Sequence, residues 1–542
     1  AAGTALGLFS RSIYGSSIVT NGGDILAVAD AGGAYGVLSQ GPYAEAGNTG
    51  NVLAIGYDRA TGIAVYGAYA ASIDNGGTAI AESYAGRATG LYAASYYGDA
   101  LVANSGSGFA YSYLGGARAA YAISSNGDAT VDSSGTLEAE SLGAEAIGAF
   151  ARAYYGTATV TNAGDITATG ADGSIGALAV GLQANIDNTG SVQAIGTTDS
   201  AFGLYALALY DVSVVNGGSV YATSTNNVAV ALAALADNGD AVVSNTGTLS
   251  AYSFDGIAAG AYVVGYNSVA IDNAGDISAV AGDATGTVYG VVAQSLGDVT
   301  ITNSGTISAT HDSLAIAVRM ASYAGTSRLY NSGLVDAGNL GGGSIAVLGN
   351  NAVDEVHNTG RINGHIYTGD GDDIVDNGAG GEWYLGGSST DLGAGADQLN
   401  NAGLIVFGNG TMYLGDGDDV IVNSGDIVLG NAGIDLGLAD TTNSFDNSGT
   451  IHVISSAFIN MGAGGTLYSD GTISFLDGAT DDMMTVYGNF AGAGDVNVDI
   501  DFIAGTSDML YIEGDITGPQ KTINVAAVNL PNTLTFDPIE VV

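Results

Sequence analysis

The motif Asn-x-Gly recurs along this chain at intervals of 26 to 30 residues, and this regularity restricts the possible folds more than any other feature. Its asparagines are Asn21, Asn48, Asn75, Asn104, Asn162, Asn188, Asn216, Asn245, Asn273, Asn303, Asn331 and Asn358, and Ser133 fills the place between Asn104 and Asn162. A hydrophobic residue precedes most of them by two positions, another follows by four, and an alanine follows by six. Such units indicate a solenoid, because each unit can bury its apolar face only against its neighbours.

These spacings are even numbers. They place the hydrophobic residues, the asparagine and the alanine on one face of extended backbone, because side chains alternate along a strand. The Asn-x-Gly step turns the chain, since asparagine and glycine tolerate left-handed backbone angles. A further alternating run precedes the asparagine, as at 203–207. Each repeat therefore holds about three short strands, and the sequence predicts an all-β, right-handed parallel β-helix (β-solenoid) with coils of about 28 residues.

Stacked coils place identical positions above one another. We expect the repeated asparagines to form a buried structural ladder whose amides hydrogen-bond along the solenoid axis. After Asn358 the motif recurs at Asn401, Asn423 and Asn447, and the last two steps are only 22 and 24 residues long. The predicted segments are a long-coil solenoid at 1–360, a short-coil Asp- and Gly-rich solenoid at 361–470, and a C-terminal capping segment at 471–542.

Charge and composition narrow the partners of the chain. The formal net charge is −45, with only 9 Lys and Arg against 54 Asp and Glu. Phosphate groups are bound by clustered Lys and Arg, so we expect no nucleic-acid partner and no adsorption to an anionic membrane. The chain has no cysteine, which excludes disulfides and thiol chemistry. No run of eighteen apolar residues occurs, so the sequence predicts no membrane-embedded helix.

Several segments carry a family resemblance. The NxGxI repeats, the stretches 369–375 (GDGDDIV) and 415–421 (GDGDDVI), and the tail segments 486–494 and 507–518 together resemble the passenger region of type V autotransporters. The resemblance covers nearly the whole chain. It implies a secreted β-helix exported across the outer membrane, displayed on or released from the bacterial cell surface, with adhesion, aggregation or biofilm roles. The family's translocating barrel needs many more alternating strands, so we expect this chain to lack it.

The aspartates of the short-coil segment recur with the coil. Asp373, Asp397, Asp419 and Asp440 lie 24, 22 and 21 residues apart, which predicts a column of carboxylates. Carboxylates about 5 Å apart repel one another unless cations lie between them. We therefore predict a Ca²⁺ site with oxygen ligands; the alternative is a set of solvated turns. The predicted ligands are Asp372, Asp373, Asp397, Asp418, Asp419 and Asp440.

Tyrosine is the abundant aromatic residue, at 30 residues against 12 Phe and 1 Trp. Six tyrosines fall six or seven positions before their asparagine, which predicts a stripe along one corner of successive coils. They are Tyr14, Tyr69, Tyr97, Tyr155, Tyr210 and Tyr266. Such a stripe stabilises the corner by stacking or, as a partly exposed aromatic surface, binds glycans or another protein.

No catalytic constellation stands out. The four His form no metal motif, no GxSxG motif is present, and the eight Arg fall in different coils. We expect a non-catalytic extracellular structural or adhesive protein that self-associates into cell aggregates, biofilm matrix or filaments, with open solenoid ends pairing between copies. The alternatives are an adhesin that binds glycans or a host surface, and a β-helix enzyme that degrades polysaccharide with a carboxylate pair.

Overall fold

The computed structural model describes residues 3–282, 286–338, 344–387, 389–437, 442–462, 464–530 and 539. Over these residues the chain is an all-β parallel β-solenoid with coils of about 28 residues and no helix, which confirms the predicted fold class. The chain divides into two compact units, at Ala1–Leu296 and Gly297–Val542, and each is described by itself. The described part of the chain contains no helix long and apolar enough to cross a membrane.

Each coil of the first unit contributes a first, a second and a third strand in chain order. In two coils the first and second strands are one continuous strand, at Gly33–Asn48 and Arg59–Asn75. The first strands are Ala5–Arg11, Gly33–Asn48, Arg59–Asn75, Arg87–Ser95, Ala117–Ser124, Ala146–Ala153, Ser174–Gly181, Ala201–Ala208, Ala229–Ala236, Ala258–Gly265 and Val288–Ser295. The other second strands are Ser16–Asn21, Ala100–Asn104, Ala129–Ser133, Thr157–Asn162, Gln183–Asn188, Val212–Asn216, Asp240–Asn245 and Ser268–Asn273. The third strands are Asp24–Ala29, Asn51–Gly56, Thr78–Ser83, Ser107–Ser112, Thr136–Ser141, Asp165–Gly170, Ser191–Gly196, Ser219–Ser224, Thr248–Ser253 and Asp276–Ala281.

The second unit repeats this order with shorter strands. Its first strands are Ala315–Ser322, Ile345–Leu348, His365–Tyr367, Thr390–Asp391, Thr411–Tyr413, Ala432–Asp435, Ala457–Asn460, Met483–Tyr487 and Met509–Ile512. Its second strands are Val299–Asn303, Ser327–Asn331, Asp354–Asn358, Ile374–Asn377, Gln398–Asn401, Val420–Asn423, Ser444–Asn447, Thr466–Ser469 and Asn489–Ala491. Its third strands are Thr306–Thr310, Leu334–Asp336, Arg361–Asn363, Glu382–Gly386, Leu404–Phe407, Asp426–Leu429, Thr450–Val453, Thr472–Ser474, Asp495–Asp501 and Thr522–Asn529, and the short strand Thr506–Ser507 pairs antiparallel with Asp495–Asp501.

The core of each unit consists of columns of like side chains. Strands of successive coils pair in parallel, so that Val131 aligns with Val160 and Val160 with Ile186. These side chains are at most 2% exposed. Burying one such side chain contributes about 1.5–3 kcal/mol, and the repetition of the contribution in every coil stabilises the stack.

Small residues in the first strand let the opposite sheet approach closely. A Cβ atom added at Gly203 would overlap the side chain of Val220 and lie 2.5 Å from the carbonyl oxygen of Ala231. The same holds at Gly176, where an added Cβ would overlap the side chain of Val192. In these coils the glycine therefore accommodates the valine that lies four positions after the asparagine.

The tail continues the solenoid of the second unit. Met483–Tyr487 pairs in parallel with Ala457–Asn460, and Asp495–Asp501 pairs in parallel with Thr472–Ser474. Lys521 is the single lysine of the chain. Its Nζ donates to the backbone carbonyl oxygens of Ala491 at 3.0 Å and Gly492 at 2.7 Å. The three-segment division at 1–360, 361–470 and 471–542 describes coil length and stays a prediction.

Candidate functional site: side-chain columns along the solenoid

The repeated asparagines of the first unit form a hydrogen-bonded ladder. The Nδ2 atom of Asn188 donates to Oδ1 of Asn216 at 2.8 Å, and Nδ2 of Asn216 donates to Oδ1 of Asn245 at 2.7 Å. The same Nδ2 atoms reach the carbonyl oxygen of the glycine two residues on, as from Asn216 to Gly218 at 3.2 Å. Asn104 donates instead to the hydroxyl of Ser133, which occupies the asparagine position of its coil. These side-chain amides are almost fully buried, so they are closed to solvent. Their hydrogen bonds hold the turn and link it to the next coil.

The ladder of the second unit contains two members that the motif search missed. Asn358 donates to Asn377 at 2.8 Å, and Asn377 donates to Asn401 at 2.8 Å. Asn377 does not fit the Asn-x-Gly motif because its turn is longer. Its amide donates to the carbonyl oxygen of Gly381, four positions on, whereas rungs such as Asn358 use the glycine two positions on. The last rung is the hydroxyl of Ser469, which accepts from Asn447 at 3.0 Å. A hydrophobic residue two positions earlier is the signal that both share with the other rungs.

Three of the predicted aspartates stack as a buried column in the second unit. The backbone N–H of Asp373 donates to Oδ1 of Asp397 at 2.9 Å, and the N–H of Asp397 donates to Oδ1 of Asp419 at 3.0 Å. The column continues in both directions: the N–H of Asp354 donates to Asp373 at 2.8 Å, and the N–H of Asp419 donates to the side chain of Asn443 at 2.9 Å. Asp354 and Asn443 lack the Gly-Asp context and were not predicted.

Burial changes the titration of these carboxyls. Loss of solvent is the largest cause in each case, and the members are at most 1% exposed. It raises the pKa of Asp354 to about 7, of Asp373 to about 6, of Asp397 to about 8 and of Asp419 to about 6. The neighbouring carboxyl of Asp373 raises the pKa of Asp397 further. In the described part of the chain the Oδ2 atoms of Asp397 and Asp419 are buried without a hydrogen-bond partner.

The remaining predicted calcium ligands lie elsewhere. The side chain of Asp372 is exposed and accepts from the N–H of Ala396 at 2.9 Å, and the exposed Asp418 accepts from the N–H of Thr442 at 2.8 Å. Asp440 lies outside the described residues. Among the residues that the structure does describe, no group of three or more His, Cys, Asp or Glu side chains has the arrangement of a metal site. Calcium binding therefore stays a prediction.

The Gly-Asp stretches build the turn that precedes the aspartate column. Gly369, Gly393 and Gly415 stack in successive coils with φ of +97°, +100° and +96°. A Cβ atom at Gly393 would overlap the carbonyl group of Gly369, so the turn requires glycine both for its backbone angle and for the close stacking of coils. The turn geometry therefore accounts for the glycines of the GDGDD motif.

The predicted tyrosine stripe is only partly continuous. Tyr69 and Tyr97 stack with ring centroids 5.7 Å apart, and Tyr43, which was not predicted, stacks on Tyr69 at 5.6 Å. Asn126 takes the corresponding position in the next coil and separates Tyr97 from Tyr155. Within the described part of the chain the other predicted tyrosines contact no aromatic ring; these are Tyr14, Tyr155, Tyr210 and Tyr266. All six are exposed, from 48% at Tyr210 to 96% at Tyr14.

A second aromatic column lies on the exposed corner that follows the third strand. Tyr57 stacks on Tyr84 at 5.4 Å, and Tyr84 stacks on Tyr113 at 5.2 Å with an interplanar angle of 6°. Their exposure is 46%, 50% and 46%, and Leu114 and Leu142 extend the apolar surface at 53% and 49%. We call Tyr57, Tyr84, Tyr113, Leu114 and Leu142 the tyrosine ridge. The sequence carries a signal for this column, since its three tyrosines each lie nine positions after Asn48, Asn75 or Asn104, but the predicted stripe used only positions before the asparagine.

The fold is consistent with the β-helix of an autotransporter passenger. No protein-family model matches the sequence, and no curated protein matches it. The class that the structure itself defines is the parallel β-solenoid, and any closer assignment rests on the resemblance of the repeats and the tail.

Proposed function

We propose that this chain is a non-catalytic structural protein that self-associates laterally, with copies meeting through the tyrosine ridge. The observation that carries the proposal is the stacking of Tyr57, Tyr84 and Tyr113 at coil spacing while about half of each side chain faces solvent. A contiguous exposed apolar surface is typical of a protein–protein contact. Tyrosine supplies large contact area with little loss of side-chain freedom.

The charge of the molecule favours this ridge over other surfaces for contact between copies. A net charge of −45 repels a second copy. Near the ridge, however, Arg59 and Arg87 follow Tyr57 and Tyr84 by two and three residues and reduce the local excess of negative charge. Added salt screens the general repulsion and leaves the apolar contact intact. Association through the ridge should therefore strengthen as ionic strength rises.

The resemblance to autotransporter passengers supports a place for this activity outside the cell, at the bacterial surface or in a matrix. A repeated surface suits that setting because identical rows on two copies can contact each other over several coils. A two-fold arrangement closes into a dimer, whereas an offset arrangement extends into a fibre or a sheet of molecules.

Sedimentation velocity of the purified full chain over a range of concentrations, at low and at high salt, tests the proposal. We expect the unmodified chain to associate, and we expect the triple substitution Tyr57→Ser, Tyr84→Ser and Tyr113→Ser to yield monomers. The matched control is the triple substitution Tyr155→Ser, Tyr210→Ser and Tyr266→Ser, which removes the same groups from exposed positions outside the ridge. A strict monomer under all conditions, or equal loss of association in both variants, would contradict the ridge as the contact.

A further inference from the structure

Four of the few basic residues of the chain lie on the outward face of one sheet in successive coils. Arg59 aligns with Arg87 in the next coil, and Arg118 occupies the row of Thr89 one coil further. Arg152 follows in the next coil, in the row of Ile123. With 9 Lys and Arg in 542 residues, this grouping concentrates positive charge on a single surface of a strongly acidic chain.

Aromatic side chains lie between these arginines in neighbouring rows. Tyr66 contacts Tyr92 at 5.4 Å, Tyr92 contacts Tyr121 at 5.3 Å, and Tyr121 stacks on Phe150 at 4.6 Å. The guanidinium of Arg118 lies 4.8 Å from the ring centroid of Tyr121, so that it is held over the aromatic row. We call the four arginines and these four rings the arginine face.

The guanidinium groups of this face have no anionic partner in the protein. Among the residues that the structure describes, none of the four lies within 4.0 Å of a carboxylate. Arg328, by contrast, pairs with Glu355 at 3.1 Å, and Arg361 pairs with Glu382 at 4.0 Å. A chain with 54 acidic residues has ample carboxylates to pair these arginines, yet none pairs with one, and two of the four, Arg59 and Arg87, line a shallow cleft of about 90 Å³.

We infer that the arginine face binds a carboxylated polysaccharide. The planar guanidinium fork matches a carboxylate with two parallel hydrogen bonds. Tyr66 and Tyr92, whose partly buried side chains line the cleft, offer apolar surface to a sugar ring and hydroxyl groups to its edge. Thr61 and Thr89 also line the cleft, at 4% and 7% exposure. Coils rise by about 4.8 Å, so a linear sugar chain along the axis meets the aligned Arg59 and Arg87 in two successive coils.

The charge of the chain selects this ligand over other polyanions. A nucleic acid carries dense charge and is bound by many Lys and Arg, which four arginines on a chain of net charge −45 do not supply. A polysaccharide with one carboxylate per sugar carries about one charge per 5 Å, against one per about 1.7 Å in duplex DNA, and adds stacking contacts that an acidic polypeptide lacks. Binding to this face requires no contact between copies, although Arg59 and Arg87 lie only two and three residues after Tyr57 and Tyr84 of the tyrosine ridge.

Calorimetric titration of the full chain with oligomers of galacturonic acid tests the inference. The substituted protein carries Arg59→Gln, Arg87→Gln and Arg118→Gln, and the matched control carries Arg361→Gln, which removes one exposed arginine that also lies over a tyrosine ring. We expect the dissociation constant of the triple variant to rise at least about tenfold, since each charge-assisted hydrogen bond contributes on that scale. We expect the control to bind as the unmodified chain does.

Two further measurements keep the test decisive. The single substitution Arg87→Lys at an exposed position retains the charge and the fold but removes the guanidinium fork, and we expect it to weaken binding several-fold. Neutral galactose oligomers and polyglutamate should bind much more weakly than the galacturonic acid oligomers. No binding of the acidic oligomers, unchanged affinity in the triple variant, or equal binding of polyglutamate would each overturn the inference.

Discussion

At the scale of single residues, the fold needs one uncharged hydrogen-bond acceptor at each position of the aspartate column, but most of these positions hold an ionisable carboxyl group. Each side chain accepts one backbone N–H from the preceding coil, and Asn443 performs the same role at the end of the column without a charge. Burial raises the pKa of Asp397 more than the hydrogen bond from the backbone N–H of Asp373 lowers it, so this carboxyl takes up a proton at a higher pH than an exposed aspartate does. The column couples the stability of the second unit to pH.

We predict that the second unit loses stability as pH rises from acid to mildly alkaline. The folded-state pKa values of about 6 to about 8 exceed the value of about 3.9 in an unfolded chain. The folded state then binds more protons between these limits, so its stability is complete below about pH 4 and falls as pH rises through the folded pKa values. Thermal unfolding of the full chain across this range, with hydrogen exchange to locate the loss in residues 354–447, measures the effect.

Substitution Asp397→Asn should remove most of that dependence. It retains the acceptor and eliminates the group with the highest pKa of the column, so we expect the unfolding midpoint at alkaline pH to rise by a few degrees, since about 1 kcal/mol corresponds to roughly 2–4 °C for a unit of this size. The control Asp416→Asn changes an exposed carboxylate in the corresponding turn of the next coil and should have little effect. If both variants behave alike, the buried column does not control the pH response.

The same variants test the predicted calcium site. If Ca²⁺ enters the column, it should raise the unfolding midpoint at alkaline pH in the unmodified chain and much less in the Asp397→Asn chain, because one ligand charge is lost. Differential scanning calorimetry with and without Ca²⁺ measures this difference. An unchanged midpoint in the unmodified chain excludes the site.

The asparagine ladder provides a second residue-scale prediction. Asn216→Ala leaves the amide of Asn188 and the carbonyl of Asn245 without their ladder partners in a buried position, and each such loss costs about 1–3 kcal/mol. Asn216→Ser should be much milder, because Ser133 and Ser469 occupy this position in other coils. Urea denaturation of both variants tests whether the position requires a hydrogen bond. If only side-chain volume mattered, the alanine and serine variants would unfold at similar urea concentrations.

At the scale of strands and sheets, the glycine column sets the distance between opposite walls of the coil. Gly203→Ala introduces a methyl group that would overlap Val220, and such overpacking typically costs about 1–3 kcal/mol. The control Gly217→Ala meets no atom closer than 3.6 Å and should change stability by less than about 0.5 kcal/mol. Urea denaturation compares the two. Equal stability of both variants would show that the sheets can separate at this position.

The sequence predicts the columns that lie at a short, even offset from the asparagine. Fixed offsets predict the coil, the buried ladder and the aspartate column of Asp373, Asp397 and Asp419. Each offset places a side chain on a defined face of a strand. Columns in the variable turns and first strands do not follow from those offsets. Arg59 and Arg118 lie 16 and 15 residues before their asparagine or serine, and they come onto one face only when strand register is known.

At the scale of the molecule, both functional proposals depend on the registered stacking of coils. The tyrosine ridge and the arginine face each consist of single residues contributed by successive coils, and neither exists within one coil. Both surfaces belong to the first unit, whereas the pH-sensitive column belongs to the second. Assembly and ligand binding can therefore be measured at a pH where the second unit is fully folded, which separates surface effects from unfolding.

Cysteine cross-linking along the tyrosine ridge measures this stacking most directly, because the chain contains no other cysteine. Adjacent-coil residues changed by Tyr84→Cys and Tyr113→Cys should form an intramolecular disulfide on mild oxidation of dilute protein. The pair Tyr57→Cys and Tyr113→Cys lies two coils apart, at about 10 Å, beyond the roughly 7 Å limit between bridged Cα atoms. Mass spectrometry that finds the first disulfide and not the second agrees with the account; absence of the first, or equal formation of both, contradicts it.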